Sequence, residues 1–383
     1  MVKVFVPRER AEGETRVAAT PETVKRLVKE GLSVKIEAGA GERAHLSDAA
    51  YEQAGATLVQ ESGLAAAFAE ADAVLKVGIP TEGPAGHEAD LIREGALLLG
   101  FASTHKNPET IKKLRDRKVS FAAVELIPRI SRAQSMDALS SQAGLGGYKA
   151  VLLAASHLDK YFPLMMTAAG TIQPAKVVIM GAGVAGLNAI ATAKRLGAVV
   201  EVSDVRPAVK EQVASLGGRF IEVDLGEAGE GEGGYARELT PEQLEKQKAV
   251  VRERVVAADV VITTALVPGR PAPRLITADM VEEMRPGAVI VDMAVEQGGN
   301  CELSELNKTV VKHGVTIIGR SDLPASMPLD ASLMYARNLQ TLLLHLYKDG
   351  AIHFDFEDEI TDGALLTHEG EIRHKPTAEL VGA

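Results

Sequence analysis

The chain of 383 residues contains a single cysteine, Cys301, and no tryptophan. One cysteine excludes an intrachain disulfide, so we expect a reducing compartment. The N-terminal segment MVKVFVPRERAEGE lacks the apolar core of a signal peptide. No apolar run reaches the roughly 18–20 residues of a membrane-spanning helix, and the apolar stretch 151–170 is interrupted by Asp159 and Lys160.

The chain also has fewer basic residues than acidic residues. The chain has 42 Lys and Arg against 52 Asp and Glu, which gives a net charge of −10. Nucleic acids and anionic membranes attract basic surfaces, so this balance argues against both as partners but leaves docking on another protein open. The hydrophobic fraction of 46% is ordinary for a globular protein, and the length suits about two or three domains.

Short apolar runs alternate with helix-like segments along the chain. The predicted strands of the first half are KVFVP, SVKIEAG, ADAVLKV, ALLLGFA and VSFAAVEL. Those of the second half are KVVIM, VVEVSD, RFIEVD, DVVITTA, AVIVDMA and VTIIGR. PETVKRLVKEG predicts a helix that begins near Thr20 and Pro21 and ends at Gly31. This alternation predicts an α/β fold with mainly parallel sheets and helices on both faces.

We expect two Rossmann-like, doubly wound domains linked by long helices, one from about residue 140 to 161 and one from about 330 to 348. The predicted domains are residues 1–138 completed by 325–383, and residues 139–324. LGEAGEGEGGYAREL, residues 225–239, is rich in glycine and acidic residues and predicts a mobile loop over about 225–243. Such a loop is either a lid or an uninvolved surface insertion.

The strongest local motif is a glycine-rich turn. Gly181, Gly183 and Gly186 form G-x-G-x-x-G between a predicted strand and a predicted helix. The first glycine permits a tight turn, the second lets the backbone approach a pyrophosphate, and the third allows close helix–strand packing. The helix N-terminus adds N–H donors for phosphate oxygens. We therefore expect the entire turn to bind a dinucleotide: Gly181, Ala182, Gly183, Val184, Ala185 and Gly186.

Asp204 ends the next predicted strand, near the place where a Rossmann carboxylate binds the adenine ribose hydroxyls. A carboxylate there repels a 2′-phosphate, which favours NAD(H) over NADP(H). Arg206 lies two residues further on and could favour a phosphate, but the carboxylate at the strand end is the stronger signal.

Other strand ends are expected on the same edge of the sheet, where ligands of doubly wound folds lie. The residues after the later strands are Thr264, Ala265 and Leu266, and then Asp292, Glu296, Gly298, Gly299 and Asn300. Val205, Asp224 and Tyr235 complete the expected cofactor-binding set, and no metal ligands are expected. Asp292 could equally be a structural carboxylate.

The run RISRAQSMDALSSQ, residues 129–142, concentrates polar groups in a chain rich in Ala, Val and Leu. If the run is helical, positions 134, 137 and 141 share one face. From the residues alone, this cluster either grips a ligand or forms an N-cap and an interdomain hydrogen-bond network.

The segments ETRVAATP, VLKVGIP, RAQSMDALSSQA, GAGVAGL, SDVRP, TTALVPGRPAP and DMAVEQGGN occur in this order over nearly the whole chain. Together they resemble the NAD(H)-binding component of the proton-translocating nicotinamide nucleotide transhydrogenases. The same superfamily includes alanine dehydrogenase and the lysine-forming saccharopine dehydrogenases. RAQSMDALSSQ and the glycine-rich loop with Tyr235 are the transhydrogenase-specific parts of the resemblance.

The resemblance implies roles for individual residues. Arg129, Gln134, Asp137 and Ser140 would line the nicotinamide side of the site as its catalytic set, and Tyr235 would be the tip of a lid. NAD(H) would bind to this chain and NADP(H) to a partner subunit, and hydride would pass from NADH to NADP⁺.

The resemblance also implies an assembly. The chain would be an enzyme only as a member of a multi-subunit complex, in which a separate membrane-spanning subunit carries the proton channel. It would form a homodimer on the cytoplasmic face of the inner or plasma membrane, attached through its partner subunits.

Two other functions stay open. A freestanding alanine dehydrogenase needs an acid–base pair and an arginine for the substrate carboxylate. Arg16 and Lys76 match that family's arginine and lysine, but its histidine position is Ser103, and His105 lies two residues further on. Transfer between two nicotinamide rings instead needs their alignment within about 3–3.5 Å. The third possibility is an NAD-sensing protein without catalytic activity.

Overall fold

The computed structural model describes residues 1–222, 241–266 and 271–382. The chain divides into two compact units, Met1–Gln142 with Pro324–Ala383, and Ala143–Leu323. Asp224, Tyr235 and the predicted loop up to residue 240 lie outside the described residues, whereas residues 241–243 already belong to a helix.

The strands of the two large sheets are, in chain order, β1 (Lys3–Val6), β2 (Ser33–Glu37), β3 (Thr57–Val59), β4 (Ala73–Leu75), β5 (Leu97–Gly100), β6 (Ser120–Ala123), β7 (Lys176–Met180), β8 (Val199–Ser203), β9 (Arg219–Phe220), β10 (Val260–Thr263), β11 (Val289–Asp292), β12 (Lys308–Lys312), β13 (Val315–Gly319), β14 (Leu365–His368) and β15 (Glu371–Ile372). Three separate two-stranded hairpins pair Glu82–Gly83 with Gly86–His87, Met165–Thr167 with Gly170–Ile172, and Tyr347–Lys348 with Ala351–Ile352.

The helices are α1 (Pro21–Lys29), α2 (Asp48–Gln53), α3 (Leu64–Glu70), α4 (Glu88–Leu91), α5 (Pro108–Asp116), α6 (Ala138–His157), α7 (Val184–Arg195), α8 (Lys210–Ser215), α9 (Pro241–Val256), α10 (Ala278–Glu283), α11 (Pro328–Leu346), α12 (Glu359–Ala364) and α13 (Lys375–Val381). Short 3₁₀ turns lie at Glu42–Ala44, Glu61–Gly63, Val124–Leu126, Ser131–Met136, Pro207–Val209 and Val295–Gln297.

The first unit is built on an eight-stranded sheet with the order β15-β14-β6-β5-β4-β1-β2-β3. Strands β1 to β6 are parallel, and the C-terminal segment adds β14 antiparallel to β6. Two apolar clusters pack against the sheet, and Tyr335, Leu339 and Leu342 of α11 are buried in one of them. The strand order reverses between β1 and β4, which is the point where doubly wound sheets place ligands.

The second unit has a seven-stranded sheet with the order β9-β8-β7-β10-β11-β13-β12. All neighbours are parallel except β12, which runs antiparallel to β13. Met180 at the end of β7 pairs with Ser203 of β8 and with Thr263 of β10. The segments after these three strands therefore start side by side at one edge of the sheet.

The predicted α/β class with two mainly parallel sheets is confirmed. Helix α1 begins at Pro21 with Thr20 as its N-cap in a capping box, and the chain turns at Gly31 with φ of +89°. All eleven predicted strands are present, whereas the short or edge strands β3, β12, β14 and β15 were not predicted. Strands β3, β12 and β15 are short or largely exposed, so they lack a continuous buried apolar run. Strand β14 is mostly buried, and its place in the sheet is set by its long-range pairing with β6.

The polar run at residues 129–142 does not form one helix. Ser131–Met136 is a 3₁₀ turn, Asp137 has a non-helical ψ of 87°, and α6 starts at Ala138. The condition under which positions 134, 137 and 141 would share one helical face is therefore not met. The long helix expected from about residue 140 to 161 is α6, which begins slightly earlier and ends at His157. In the described stretches of the chain, no helix combines the length and the apolar character needed to cross a bilayer.

Candidate functional site

The glycine-rich turn after β7 is built from contacts that only glycine permits. Gly181 has φ of +108°, and a Cβ there would lie 2.5 Å from the Thr264 hydroxyl oxygen. A Cβ on Gly186 would lie 1.9 Å from the carbonyl oxygen of Gly181. These two glycines therefore hold the turn against β10 and against the first turn of α7.

Gly183 differs from the other two glycines of the motif. No heavy atom lies within 4 Å of a Cβ placed on it, and the residue is exposed. It is the N-cap of α7, whose first N–H groups have no partner within the helix. Open space beside free N–H donors at a helix N-terminus fits a pyrophosphate group. Val184 and Ala185 form the first turn of that helix.

Asp204 directly follows β8 and is tied to the same turn. Its carboxylate accepts hydrogen bonds from the Ala182 N–H at 2.7 Å and from the Arg206 N–H at 2.8 Å. The Arg206 guanidinium donates two more, both at 3.0 Å. Burial alone would raise the pKa of Asp204, but the hydrogen bonds from Arg206 and Ala182 outweigh it and hold the pKa below its usual value. Asp204 is therefore an anion at the position predicted for a ribose-binding carboxylate.

Thr264, Ala265 and Leu266 follow β10 on the same edge. The Thr264 hydroxyl donates to the carbonyl oxygens of Met180 and Gly181, which fixes β10 to the glycine turn. The buried side chain of Asn300 pairs with both backbone polar groups of Ala265, at 3.1 Å to its N–H and 2.9 Å to its carbonyl oxygen. Leu266 is exposed. Asn300 thus positions this segment, a role that the sequence pattern did not identify.

Asp292 has a structural role. Its fully buried carboxylate accepts hydrogen bonds from the N–H groups of Ala294, Asn300 and Cys301 and from the hydroxyls of Thr263 and Ser304. All of its hydrogen-bonding capacity is directed to the protein, which leaves none for a ligand. Of the two interpretations of Asp292, the structure supports the structural one.

In the first unit, the four candidate residues of the polar run fall into two pairs, Asp137 with Ser140 and Arg129 with Gln134. Asp137 caps α6: it accepts the Ser140 N–H at 2.8 Å and the Ser140 hydroxyl at 2.6 Å. Arg129 and Gln134 are exposed, and neither side chain has a partner among the described residues. The N-cap interpretation thus describes Asp137 and Ser140, whereas Arg129 and Gln134 retain their full hydrogen-bonding capacity.

Hydrogen bonds to helix α11 hold this run in place. The Ser141 hydroxyl donates to the side-chain oxygen of Asn338 at 2.8 Å, and the amide of Asn338 donates to the Ser135 carbonyl at 2.9 Å. Gln142 donates to the Ala331 carbonyl at 3.1 Å. The middle and the C-terminal end of the run are therefore fastened to α11, and this long-range pairing was not evident from the sequence.

In the first unit, charged side chains lie where the strand order of the sheet reverses, between β1 and β4. Lys76 follows β4, is 0% exposed, and forms ion pairs with Glu88 at 2.8 Å and Glu9 at 3.4 Å. Burial alone would lower the pKa of Lys76, but the two carboxylates outweigh it and hold the pKa above its usual value. Arg10 joins Glu88 at 3.2 Å and Glu37 at 2.6 Å. This charge network lies beyond the carboxyl ends of β1 and β4 and keeps Lys76 protonated.

Arg16 is likewise engaged by its own chain. Its guanidinium donates to both carboxylate oxygens of Glu14, at 2.8 and 2.7 Å, and to the Gln142 side-chain oxygen at 2.9 Å. Glu14 therefore binds the Arg16 guanidinium in the bidentate manner in which a substrate carboxylate would bind it. Glu14 was not singled out from the sequence.

Position 103 has no acid–base group. The N–H of Ser103 donates to the Glu125 carboxylate at 2.8 Å, and Ser103 has a positive φ of 45°. His105 is an exposed residue in the following turn and has no partner among the described residues. Within the same described residues, no group of three His, Cys, Asp or Glu side chains is arranged to hold a metal ion.

Family models match both halves of the chain. The alanine dehydrogenase/PNT N-terminal domain model matches residues 5–146, and the corresponding C-terminal domain model matches residues 150–375. The chain belongs to the alanine dehydrogenase/PNT family.

Within the alanine dehydrogenase/PNT family, similarity favours one branch. The first segment of the divided NAD(P) transhydrogenase subunit alpha of Rhodospirillum rubrum is 50% identical over 97% of this chain and 98% of its own length. Alanine dehydrogenase 2 of Staphylococcus aureus (strain USA300) is 30% identical over 99% of this chain and 96% of its own length. The crystal structure of transhydrogenase from Sinorhizobium meliloti superposes with a TM-score of 0.86 at 45% identity, and the match covers 97% of this chain and 99% of that one.

Replacing Gly183 by Ala should reduce NADH affinity about tenfold and leave the melting temperature unchanged. Its φ of −78° suits alanine, but the methyl group would occupy the open space expected for pyrophosphate. Gly186→Ala is the matched variant and should lower the melting temperature, because its Cβ would collide with the Gly181 carbonyl. NADH fluorescence titration and thermal unfolding provide the two measurements. Undiminished NADH affinity in Gly183→Ala would contradict the assignment of this turn.

Replacing Lys76 by Met should destabilise the protein by about 3–5 kcal/mol, because Glu9 would remain buried without a cation and Glu88 would keep only Arg10. Urea unfolding measures the loss. Lys113→Met is the control, since Lys113 pairs with Asp90 at the surface and should cost no more than about 1 kcal/mol. Equal losses in the two variants would show that the charge network does not depend on Lys76.

Proposed function

We propose that this chain is the NAD(H)-binding component of a proton-translocating transhydrogenase and passes hydride from NADH to NADP⁺ held by a partner subunit. The observation that carries the proposal is the absence, among the described residues at this site, of a poised acid–base pair. Lys76 is held between two carboxylates, and position 103 is a serine. An amino-acid dehydrogenase needs such a pair, whereas hydride exchange between two nicotinamide rings does not.

The second unit is proposed to hold the nucleotide. The pyrophosphate would lie against Gly183 and the N-terminus of α7, and the adenine ribose against Asp204. Val205, Arg206 and the segment 264–266 border this edge and belong to the proposed binding surface. Asp224 and Tyr235, which lie outside the described residues, are retained as proposed contacts of the bound nucleotide.

The polar run of the first unit is proposed to orient the nicotinamide. NADH, when bound, supplies the hydride from its nicotinamide ring. Gln134 has both a donor and an acceptor free for a carboxamide or a ribose hydroxyl. The Asp137–Ser140 pair keeps one geometry because the two side chains are joined at 2.6 Å, and it offers its remaining lone pairs to a ribose. Arg129 is exposed and is proposed to face the partner's nucleotide.

The orientation that these groups impose is the catalytic contribution of this chain. Hydride transfer is fast only when donor and acceptor carbons meet within about 3–3.5 Å with their ring faces aligned. A side chain that bonds to the carboxamide restricts rotation of the ring about its glycosidic bond. No side chain of this chain has to take up or release a proton during the transfer.

We also propose an assembly. Subunit naming among the relatives supports a multi-subunit complex. We propose that its other members are a membrane-spanning proton-channel subunit and an NADP(H)-binding subunit, which would hold this chain at the cytoplasmic face of the membrane. The chain is further proposed to form a homodimer, and the hairpin Met165–Thr167/Gly170–Ile172 exposes Leu164, Met166 and Ile172 as an apolar contact surface.

The homodimer is testable by sedimentation equilibrium. The unaltered chain should sediment at twice the monomer mass, and Met166→Glu should shift it toward the monomer, because burying a charge in an apolar contact is costly. Val311→Glu is the control, since Val311 is an exposed apolar residue on the edge strand β12. A monomeric unaltered chain would contradict the proposed dimer.

The function is tested by two reactions of the purified chain. Mixed with an NADP(H)-binding transhydrogenase component, it should transfer hydride between NADH and an NADP⁺ analogue. With NADH, pyruvate and ammonia alone, it should show no oxidation of NADH. Gln134→Ala should lower hydride transfer far more than NADH affinity, because it removes a group that orients the ring. Ser135→Ala, a change at the exposed neighbouring residue, is the control and should leave both unchanged.

Two results would contradict the proposal. Oxidation of NADH that depends on pyruvate and ammonia would make the chain an amino-acid dehydrogenase. Equal losses of transfer and of NADH affinity in Gln134→Ala would show that this residue binds the nucleotide without orienting it.

A further inference from the structure

The Asp204 carboxylate is fully engaged by donors of its own chain. Two of the four donors are backbone N–H groups, those of Ala182 and Arg206, at 2.7 and 2.8 Å. The other two belong to the guanidinium of Arg206, which spans both carboxylate oxygens at 3.0 Å each. An ionised carboxylate has about four lone-pair positions, so all of them are in use.

The four donors differ in how easily they can leave. The two backbone N–H groups are fixed, because Ala182 belongs to the glycine-rich turn and Arg206 to the segment that follows β8. The Arg206 side chain is 57% exposed and makes no other ion pair within the described residues, whereas Asp204 is 6% exposed. The guanidinium is therefore the donor that a ligand can displace at least cost.

We propose that Arg206 is an internal competitor for the adenine ribose: its guanidinium occupies Asp204 in the unbound protein and is displaced when the ribose hydroxyls of NAD(H) bind. This inference rests on the proposed function and specifies how that site chooses its nucleotide. Ribose hydroxyls and the guanidinium are both donors, so they compete for the same carboxylate lone pairs.

The displaced side chain has a second consequence. A 2′-phosphate cannot donate to Asp204 and is repelled by its charge, but it can pair with a guanidinium. Arg206 therefore acts in opposite directions on the two nucleotides. It weakens NADH binding by competing with the ribose, and it supports the residual binding of NADPH by offering a cation to the phosphate.

The experiment compares NADH and NADPH affinities by fluorescence titration of the full chain. Arg206→Ala should bind NADH about 2–5-fold more tightly, the range expected for the loss of a solvent-exposed ion pair. The same variant should bind NADPH more weakly. Arg206→Lys keeps the charge but cannot bridge both carboxylate oxygens, so its NADH affinity should lie between those of the unaltered chain and of Arg206→Ala.

A double variant tests whether Arg206 acts through Asp204. Asp204→Asn retains an acceptor for the Ala182 N–H and removes the charge that holds the guanidinium. In this background, Arg206→Ala should leave NADH affinity unchanged. A persistent effect would overturn the inference, and so would unchanged or weaker NADH binding in the single variant Arg206→Ala. Failure of the unaltered chain to bind NADH would reject the proposed function itself, a result that is distinct from all of these.

Discussion

The close approach of backbone to backbone at the end of β7 is the constraint on which the proposed nucleotide site depends. A Cβ on Gly186 would lie 1.9 Å from the Gly181 carbonyl oxygen, and a Cβ on Gly181 would lie 2.5 Å from the Thr264 hydroxyl. These contacts bring α7 and β10 against one turn. As a result, the free N–H groups of α7, the Asp204 carboxylate and the segment after Thr264 lie at one edge of the sheet.

The first unit has the same order of its six parallel strands as the second unit, but different residues lie where that order reverses. Both sheets reverse their strand order beside the first strand of the unit, where a crevice forms at the carboxyl ends. In the second unit the residue at this edge is Gly183, and no heavy atom lies within 4 Å of a Cβ placed on it. In the first unit this edge carries Lys76, Glu9 and Glu88, which satisfy one another in the interior. The same strand order thus places an open glycine turn at this edge in one unit and buried ion pairs in the other.

The partners of a charged side chain also decide what it can bind. Arg16 and Lys76 are present here, as an amino-acid dehydrogenase would require, but Glu14 occupies the guanidinium of Arg16 and two carboxylates hold Lys76. The identity of Arg16 and Lys76 alone therefore does not show whether their charges are available to a substrate, whereas their partners in the folded chain do. The polar run shows the same principle, because Asp137 and Ser140 bond to each other while the amide of Gln134 has no partner in the described part of the chain.

Local sequence determined the elements of this protein that depend on neighbouring residues. The apolar runs predicted the central strands, Thr20 and Pro21 predicted the start of α1, and the spacing of Gly181, Gly183 and Gly186 predicted the strand–turn–helix. Short-range sterics and hydrogen bonds act over a few residues, so a sequence pattern records them. The tertiary structure alone decided the edge strands, the break in the polar run at Asp137, the burial of Asp292 and the pairing of Lys76 with Glu9 and Glu88. Those features depend on which groups meet across tens or hundreds of residues, and whether a charged side chain is free or already neutralised is settled only when its partners are in place.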